Sequence, residues 1–155
     1  MTDHRPSEDT FRLDRFLDAQ DRWGTYDDAL SELRAGHKSG HWMWFVFPQI
    51  AGLGMSEMSR KYAISSLAEA EAYLAHPVLG PRLRECTEAI VTLQGRSASE
   101  IFGGIDSLKL RSSLTLFSRA TPGDPLFSGA LQKYFDGIPD PMTEQILGSP
   151  PGRGA

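Results

Sequence analysis

The stretch GHKSGHWMWFVFPQ, residues 36–49, crowds His37, Lys38, His41, Trp42, Trp44 and Gln49 into one place. A histidine exchanges protons near neutral pH and is the commonest general acid or base. A lysine ammonium holds an anion. Indole rings form a wall for a flat ring such as a nucleobase or nicotinamide, and a few directed polar groups fix its orientation. These residues could therefore perform acid–base or group-transfer chemistry on a small anionic molecule with a flat ring. His41 is the candidate catalytic residue. Lys38, Trp42, Trp44 and Gln49 are candidate binding residues.

A second cluster, DSLKLRSS at residues 106–113, adds Lys109, Ser112 and Ser113. If Asp106 caps a helix, Lys109 and Arg111 fall in or just beyond its first turn. Cations there oppose the helix dipole at ~0.3–1 kcal/mol each. An ion pair with a nearby carboxylate would offset this. So would an anionic ligand held by Lys109, Ser112 and the helix end. Lys109 and Ser113 lie one turn apart and could form a Ser–Lys nucleophile pair, although the known signature S-x-x-K runs in the opposite order.

Each cluster also has a plainer reading. Six unbroken apolar residues, Trp42 to Phe47, bounded by Pro48, make a buried segment. Gly36 and Gly40 would then form a hinge, with Lys38 and Ser39 facing water. The polar atoms of His41, Trp42, Trp44 and Gln49 at the edge of that apolar mass still need partners, either backbone or ligand. His37 and His41 are spaced for one helix face. They lack the glutamate of H-E-x-x-H, the glycines weaken any helix, and the chain has only four histidines, so no metal site is expected. GLGMSEMSRK, residues 52–61, could present an anion-binding helix start with Arg60 and Lys61 nearby. Glu57 stands where G-x-G-x-x-G needs its third glycine, however, and a plain turn with Ser56 as a cap explains the segment. His76 before Pro77 reads as a turn residue at a helix junction. Cys86 reads as inert core, and Asp140 as a helix cap. An acid role for Asp106 or Asp140 has nothing in the spacing to select it.

The elements that must position these residues read as helices. Leu13, Phe16 and Leu17 make one apolar stripe. Tyr26, Ala29, Leu30 and Leu33 make another, with Thr25 and Asp28 as a capping box and Gly36 at the C-cap. Ser66 with Glu69 opens a helix carrying Leu67, Ala70, Tyr73 and Leu74, which His76-Pro77 ends. Leu79, Leu83, Cys86, Ile90 and Leu93 form a longer stripe closed by Gly95. Ser97 and Glu100 cap a short helix reaching Phe102. Asp106 would cap a helix buried through Leu110, Leu114 and Phe117. Pro125 opens the stripe Leu126 to Phe135, and Thr143 to Leu147 make a last turn. Only residues 42–47 and 61–64 are strand candidates. The expected fold is all-α, a single compact domain of about seven or eight short helices over residues 10–147, with flexible tails at 1–9 and 148–155.

Composition fits this picture. A chain of 155 residues that is 40% hydrophobic suits one core. Its net charge of −4, without a basic stripe, argues against nucleic-acid or membrane partners. A single cysteine fits a reducing compartment. The polar start has no signal-peptide pattern, and no apolar run approaches the ~20 residues of a membrane span. A cytoplasmic location is expected.

GHKSGHWMWFVFPQIAGLGMS, AYLAHPVLGPRL, EIFGGIDSLKLRSSLTLF and GIPDPMT together resemble a bacterial family known as domain of unknown function 1810, whose members are sometimes labelled calpastatin-like. The resemblance covers roughly residues 10–147. It implies a single all-α domain and no established activity. The calpastatin label implies little, because a calpastatin is a long disordered inhibitor and this chain has a globular pattern.

Three functions compete. One is a nucleotide- or phosphate-class binder, hydrolase or transferase, in which His41 and Lys109 meet in one pocket beside the aromatic wall. No redox cofactor motif is present and no cofactor is expected. The second is a protein-interaction module with an exposed apolar stripe around Leu126 to Phe135. The third, nucleic-acid binding, conflicts with the charge. The first is the leading expectation. Substrate, reaction and oligomeric state are left open.

Overall fold

The spacing of Leu110, Leu114 and Phe117 becomes the buried face of a central helix around which the others gather. In the computed structural model, which describes residues 11–148, the elements are α1 (Asp14–Asp21), a single 3₁₀ turn (Arg22–Gly24), α2 (Thr25–Ala35), α3 (Met43–Val46), α4 (Glu57–Lys61), α5 (Leu67–Ala75), α6 (Leu79–Thr92), α7 (Ala98–Phe102), α8 (Gly104–Ala120), α9 (Pro125–Phe135) and α10 (Pro141–Gly148). The fold is all-α, with no strand among the described residues. The expected tails lie outside the described residues, apart from Gly148, which ends α10.

Helix α8 packs against α5, α7, α9 and α10, and α6 packs against α2, α5 and α9. One cluster of buried side chains runs through all these contacts. Its aromatic spine is continuous. Phe16 meets Tyr73 edge-on at 5.1 Å, Tyr73 tilts against Phe117 at 5.5 Å, and Phe117 meets Phe127 at 5.9 Å. Burying each such ring is worth ~1.5–3 kcal/mol over leaving it in water, so these contacts rather than local propensity hold the short helices in place.

Polar groups brought inside are paired. Gln20, buried in α1, donates to the Phe45 carbonyl at 2.8 Å and to the Tyr73 hydroxyl at 3.1 Å, while its own oxygen accepts from Arg82 at 3.2 Å. Arg15 donates to the carbonyls of Lys61 and Ala63 and to buried Glu69 at 2.7–2.9 Å, tying α1 to the chain that leads into α5.

Several expected helix ends appear with their chemistry. Ser56, Ser66 and Ser97 accept the N–H three residues on, and Ser97 with Glu100 forms a full capping box. Asp140 accepts the Thr143 N–H, and Asp124 caps α9 ahead of Pro125. Gly36 ends α2 at φ +78°, a left-handed cap whose N–H bonds Leu33 while His37 N–H reaches back to Glu32.

Other ends differ. Thr25 lies inside α2 and its hydroxyl donates to the Arg22 carbonyl, so no capping box forms with Asp28. α6 ends at Thr92, with extended Leu93 rather than Gly95 as its C-cap. Asp106 is not a cap: α8 begins two residues earlier, at Gly104, because Gly103 at φ +83° turns the chain directly out of α7. Of the strand candidates, residues 42–47 fold as the single turn α3. Of residues 61–64, Lys61 ends α4 and Ile64 forms an isolated parallel bridge with Ile50.

Candidate functional site

The loop from Gly36 to Trp42 is held by a residue outside it. Glu32, in the last turn of α2, accepts from the N–H groups of Ser39 and Gly40 at 2.9 and 3.0 Å and from the Trp42 indole at 2.8 Å. Burial alone would raise the Glu32 carboxyl, but these donors outweigh it and hold the group below the ordinary carboxylate range. A carboxylate at a helix C-terminus opposes the helix dipole, and that mismatch is the sequence signal that could have singled out Glu32.

Lys38 then points inward rather than to water. Its side chain is only 7% exposed and its ammonium lies 2.8 Å from Asp106 in the first turn of α8. It also donates to the Gly40 carbonyl and sits 4.9 Å from the Trp42 ring centre. Lys109 approaches the same Asp106 carboxylate at 3.7 Å and lies 5.0 Å from the Trp44 ring centre. Two ammonium groups thus converge on one carboxylate between two aromatic rings. The ion pair that the dipole argument called for at Lys109 is supplied by Asp106.

Beside this cluster lies a cleft of about 510 Å³, lined among others by Lys38, His41, Trp44, Phe102, Gly104 and Asp106. His41 is exposed at its rim. Lys109 does not itself line the cleft but contacts two residues that do, Asp106 and Trp44. His41 and Lys109, expected to meet in one pocket, are thus connected through those two neighbours rather than directly.

Trp44 is shared. It also walls a second, smaller hollow of about 160 Å³, to which Gln49, Arg60 and Tyr62 contribute. Gln49 and Lys38 thus line two spaces that share Trp44. The Ile50–Ile64 bridge fixes its backbone, with Ile64 N–H on the Gln49 carbonyl at 2.8 Å.

Three expected members stand elsewhere. Trp42 is 1% exposed, packed at 6.5 Å on Phe47. With its indole N–H satisfied by Glu32, it is core, and only its margin borders a third groove that also includes His41 and Trp23. Ser112 is buried and its hydroxyl donates to the Leu108 carbonyl at 3.2 Å. Ser113 is buried with no partner for its hydroxyl, so no Ser–Lys pair forms with Lys109. Helix α8 turns Lys109 toward Trp44 while the two serines face the core.

The remaining expectations resolve locally. His76 accepts the N–H groups of Val78 and Leu79 at 3.1 Å through Nδ1, closing the α5–α6 junction. Cys86 is fully buried, and burial pushes its thiol up to about 12. His37 and His41 flank a non-helical loop, and among the described residues no three His, Cys, Asp or Glu side chains gather to hold a metal ion. No helix of the described residues is long and apolar enough to cross a membrane.

Comparison with known proteins agrees with this architecture. The crystal structure of the conserved hypothetical protein Rv1873 from Mycobacterium tuberculosis is similar to this chain at a TM-score of 0.87 and 53% identity, covering 90% of this chain and 98% of that one. No curated protein matches. The model of a family described as "Protein of unknown function (DUF1810)" matches residues 10–147, and the chain belongs to that family.

Proposed function

We propose that the chain binds a small anionic molecule bearing a flat ring in the cleft between the Gly36–Trp42 loop and the start of α8. The observation that carries this is the convergence of Lys38 and Lys109 on the single carboxylate of Asp106 beside Trp44. Two ammonium groups against one carboxylate leave a positive excess at the edge of a concave, aromatic-walled space. An anion gains from that excess more than it would in water, because the surroundings are partly desolvated. The cleft volume, about 510 Å³, lies in the range of ordinary small-molecule sites. His41 at the rim is placed to exchange a proton with a bound molecule, which keeps hydrolysis or group transfer within reach.

A second reading, docking of a partner protein, draws on Ile105 and Leu108, which are 73% and 61% exposed on the first turns of α8. The stripe originally expected to serve it does not, because Phe127, Ala130 and Leu131 are buried against the core.

A thermal-shift screen against nucleotides, sugar phosphates and simple anions tests the first reading. A ligand at a hundred times its Kd adds about 2.7 kcal/mol of stability, roughly 5–10 °C for a domain of this size. Lys109→Ala and His41→Ala should each diminish the shift. If both variants keep it in full, the ligand binds elsewhere. If no compound shifts wild type while a lysate partner protects Ile105 and Leu108 from exchange, the docking reading replaces it.

A further inference from the structure

The smaller hollow that shares Trp44 with the cleft has the contents of a ring-recognition subsite. At about 160 Å³ it matches the size of cavity that accommodates a single aromatic ring. Trp44 and Tyr62 supply aromatic walls, and Gly52 and Gly54 bring bare backbone to its edge. Gly54 is required there for a different reason: a Cβ at that position would lie 2.5 Å from the Ser59 hydroxyl. Three polar side chains line the hollow without using their hydrogen-bonding groups. The amide of Gln49, the hydroxyl of Tyr62 and the guanidinium of Arg60 make no hydrogen bond among the described residues. Gln49 is half-buried on a backbone pinned from both sides, its carbonyl taken by Ile64 N–H and the next-but-one N–H, that of Ala51, given to Ile64 at 2.7 Å. A side-chain amide carried on that backbone offers one acceptor and two donors in a plane. Its complement is a ring edge carrying a donor next to an acceptor, as nucleobases do.

We propose that this hollow is a nucleobase-type subsite, with Gln49 reading the ring edge and Arg60 at its mouth, so that the ligand of the Lys38–Lys109 cleft is a nucleotide-like molecule straddling Trp44. This rests on the reading of the cleft as an anion site and names its ligand class. Trp44 is the physical link, because it lines both spaces.

Calorimetric titration of the full chain with adenosine monophosphate, uridine monophosphate, adenosine and inorganic phosphate separates the two halves. At least one nucleotide is expected to bind tenfold or more tightly than inorganic phosphate. Gln49→Leu, which keeps the side chain's bulk, should cut that ratio at least tenfold. Arg60→Ala, at an exposed position that leaves the core untouched, should lower the same ratio, and the melting temperature of each variant checks that it is folded. Lys109→Ala should weaken phosphate and nucleotide together. Nucleotides binding no tighter than phosphate, with the ratio indifferent to Gln49→Leu and Arg60→Ala, overturns the ring subsite and leaves the anion cleft standing. Adenosine binding without phosphate, indifferent to Lys109→Ala, supports the ring subsite and removes the anion cleft. Failure of all four compounds to bind overturns both.

Discussion

Glu32 anchors the loop that leads into Trp42. Its carboxylate takes three N–H donors from a segment of chain that has no regular structure of its own between Gly36 and Trp42. Glu32→Ala leaves the buried Trp42 indole and two backbone groups without that acceptor. Hydrogen bonds to a charged group are worth ~1.5–3 kcal/mol, so a loss of about 2–4 kcal/mol is expected by urea denaturation. The sign of the pH effect follows from the depressed carboxyl. Its contribution is complete above the unfolded-state value and is lost as pH falls through the lower folded-state value. Acid titration of wild type should therefore lose stability below about pH 4.5, the ordinary carboxylate value, and Glu32→Gln should flatten that limb. An unchanged acid limb in the variant would show that the Glu32 charge is not what anchors the loop. Ser113 poses the opposite case. Its buried hydroxyl has no partner, so Ser113→Ala removes a desolvated polar group at almost no cost in volume. The variant should be neutral or up to ~1 kcal/mol more stable, and a clear destabilisation in thermal melts would mean the hydroxyl has a bond in solution.

Whole elements were more readable than the joints between them. Stripes such as Tyr26–Leu33 and Leu79–Ile90 repeat at helical spacing, and their buried faces agree with that period. The Ser97–Glu100 capping box and the Gly36 C-cap are local chemistry and could be read locally. The Trp42–Phe47 run could not, because a six-residue apolar segment has no period long enough to separate a buried strand from a buried helical turn. The segment folds as the turn α3, buried except at Trp44, with Glu32 accepting the Trp42 indole and Gln20 donating to the Phe45 carbonyl. The start of α8 was misplaced by three residues, from an expected cap at Asp106 to Gly103, because Asp is a common cap, whereas here Gly103 provides the turn and Asp106 turns its carboxylate to Lys38 instead. Of the candidate residues, Lys38, His41 and Trp44 line the cleft and Gln49 the smaller hollow, while Trp42, Ser112 and Ser113 lie buried in the core, because residue type does not disclose which way a helix face points. The α5–α6 joint gives a test at this scale. A Cβ on Gly80 would come within 2.1 Å of the Leu74 carbonyl oxygen. Backbone cannot yield as a side chain tip can, so Gly80→Ala should cost about 1–3 kcal/mol, whereas Gly129→Ala, inside α9 with nothing within 4 Å, should stabilise by about 0.5–1 kcal/mol. Equal melting temperatures for the two variants would mean that the two helices separate freely.

At the scale of the whole molecule, the cleft exists only because remote parts of the chain close on each other. Lys38 and Asp106 are far apart in sequence, and both are positioned by elements that the shared core holds together. Local stability at the site should therefore track global stability, and Cys86 is an internal probe of the latter. Its side chain is 0% exposed in α6, facing Tyr26 of α2. Burial raises its thiol to about 12. The thiolate is the reactive form, so the native thiol is shielded twice, by access and by protonation. Modification by a disulfide reagent at pH 8 should then proceed only through opening of the α2–α6 contact. The prediction is a labelling rate that rises with urea in step with global unfolding, with the same dependence on denaturant as the equilibrium transition. A ligand that bridges the Gly36–Trp42 loop and α8 should slow that labelling by the factor its binding adds to stability, although it touches neither Cys86 nor its neighbours. Labelling that stays fast in the absence of urea would place a local opening beside α6. Labelling that slows with urea-independent kinetics on ligand addition would show that the cleft and the core respond as separate units.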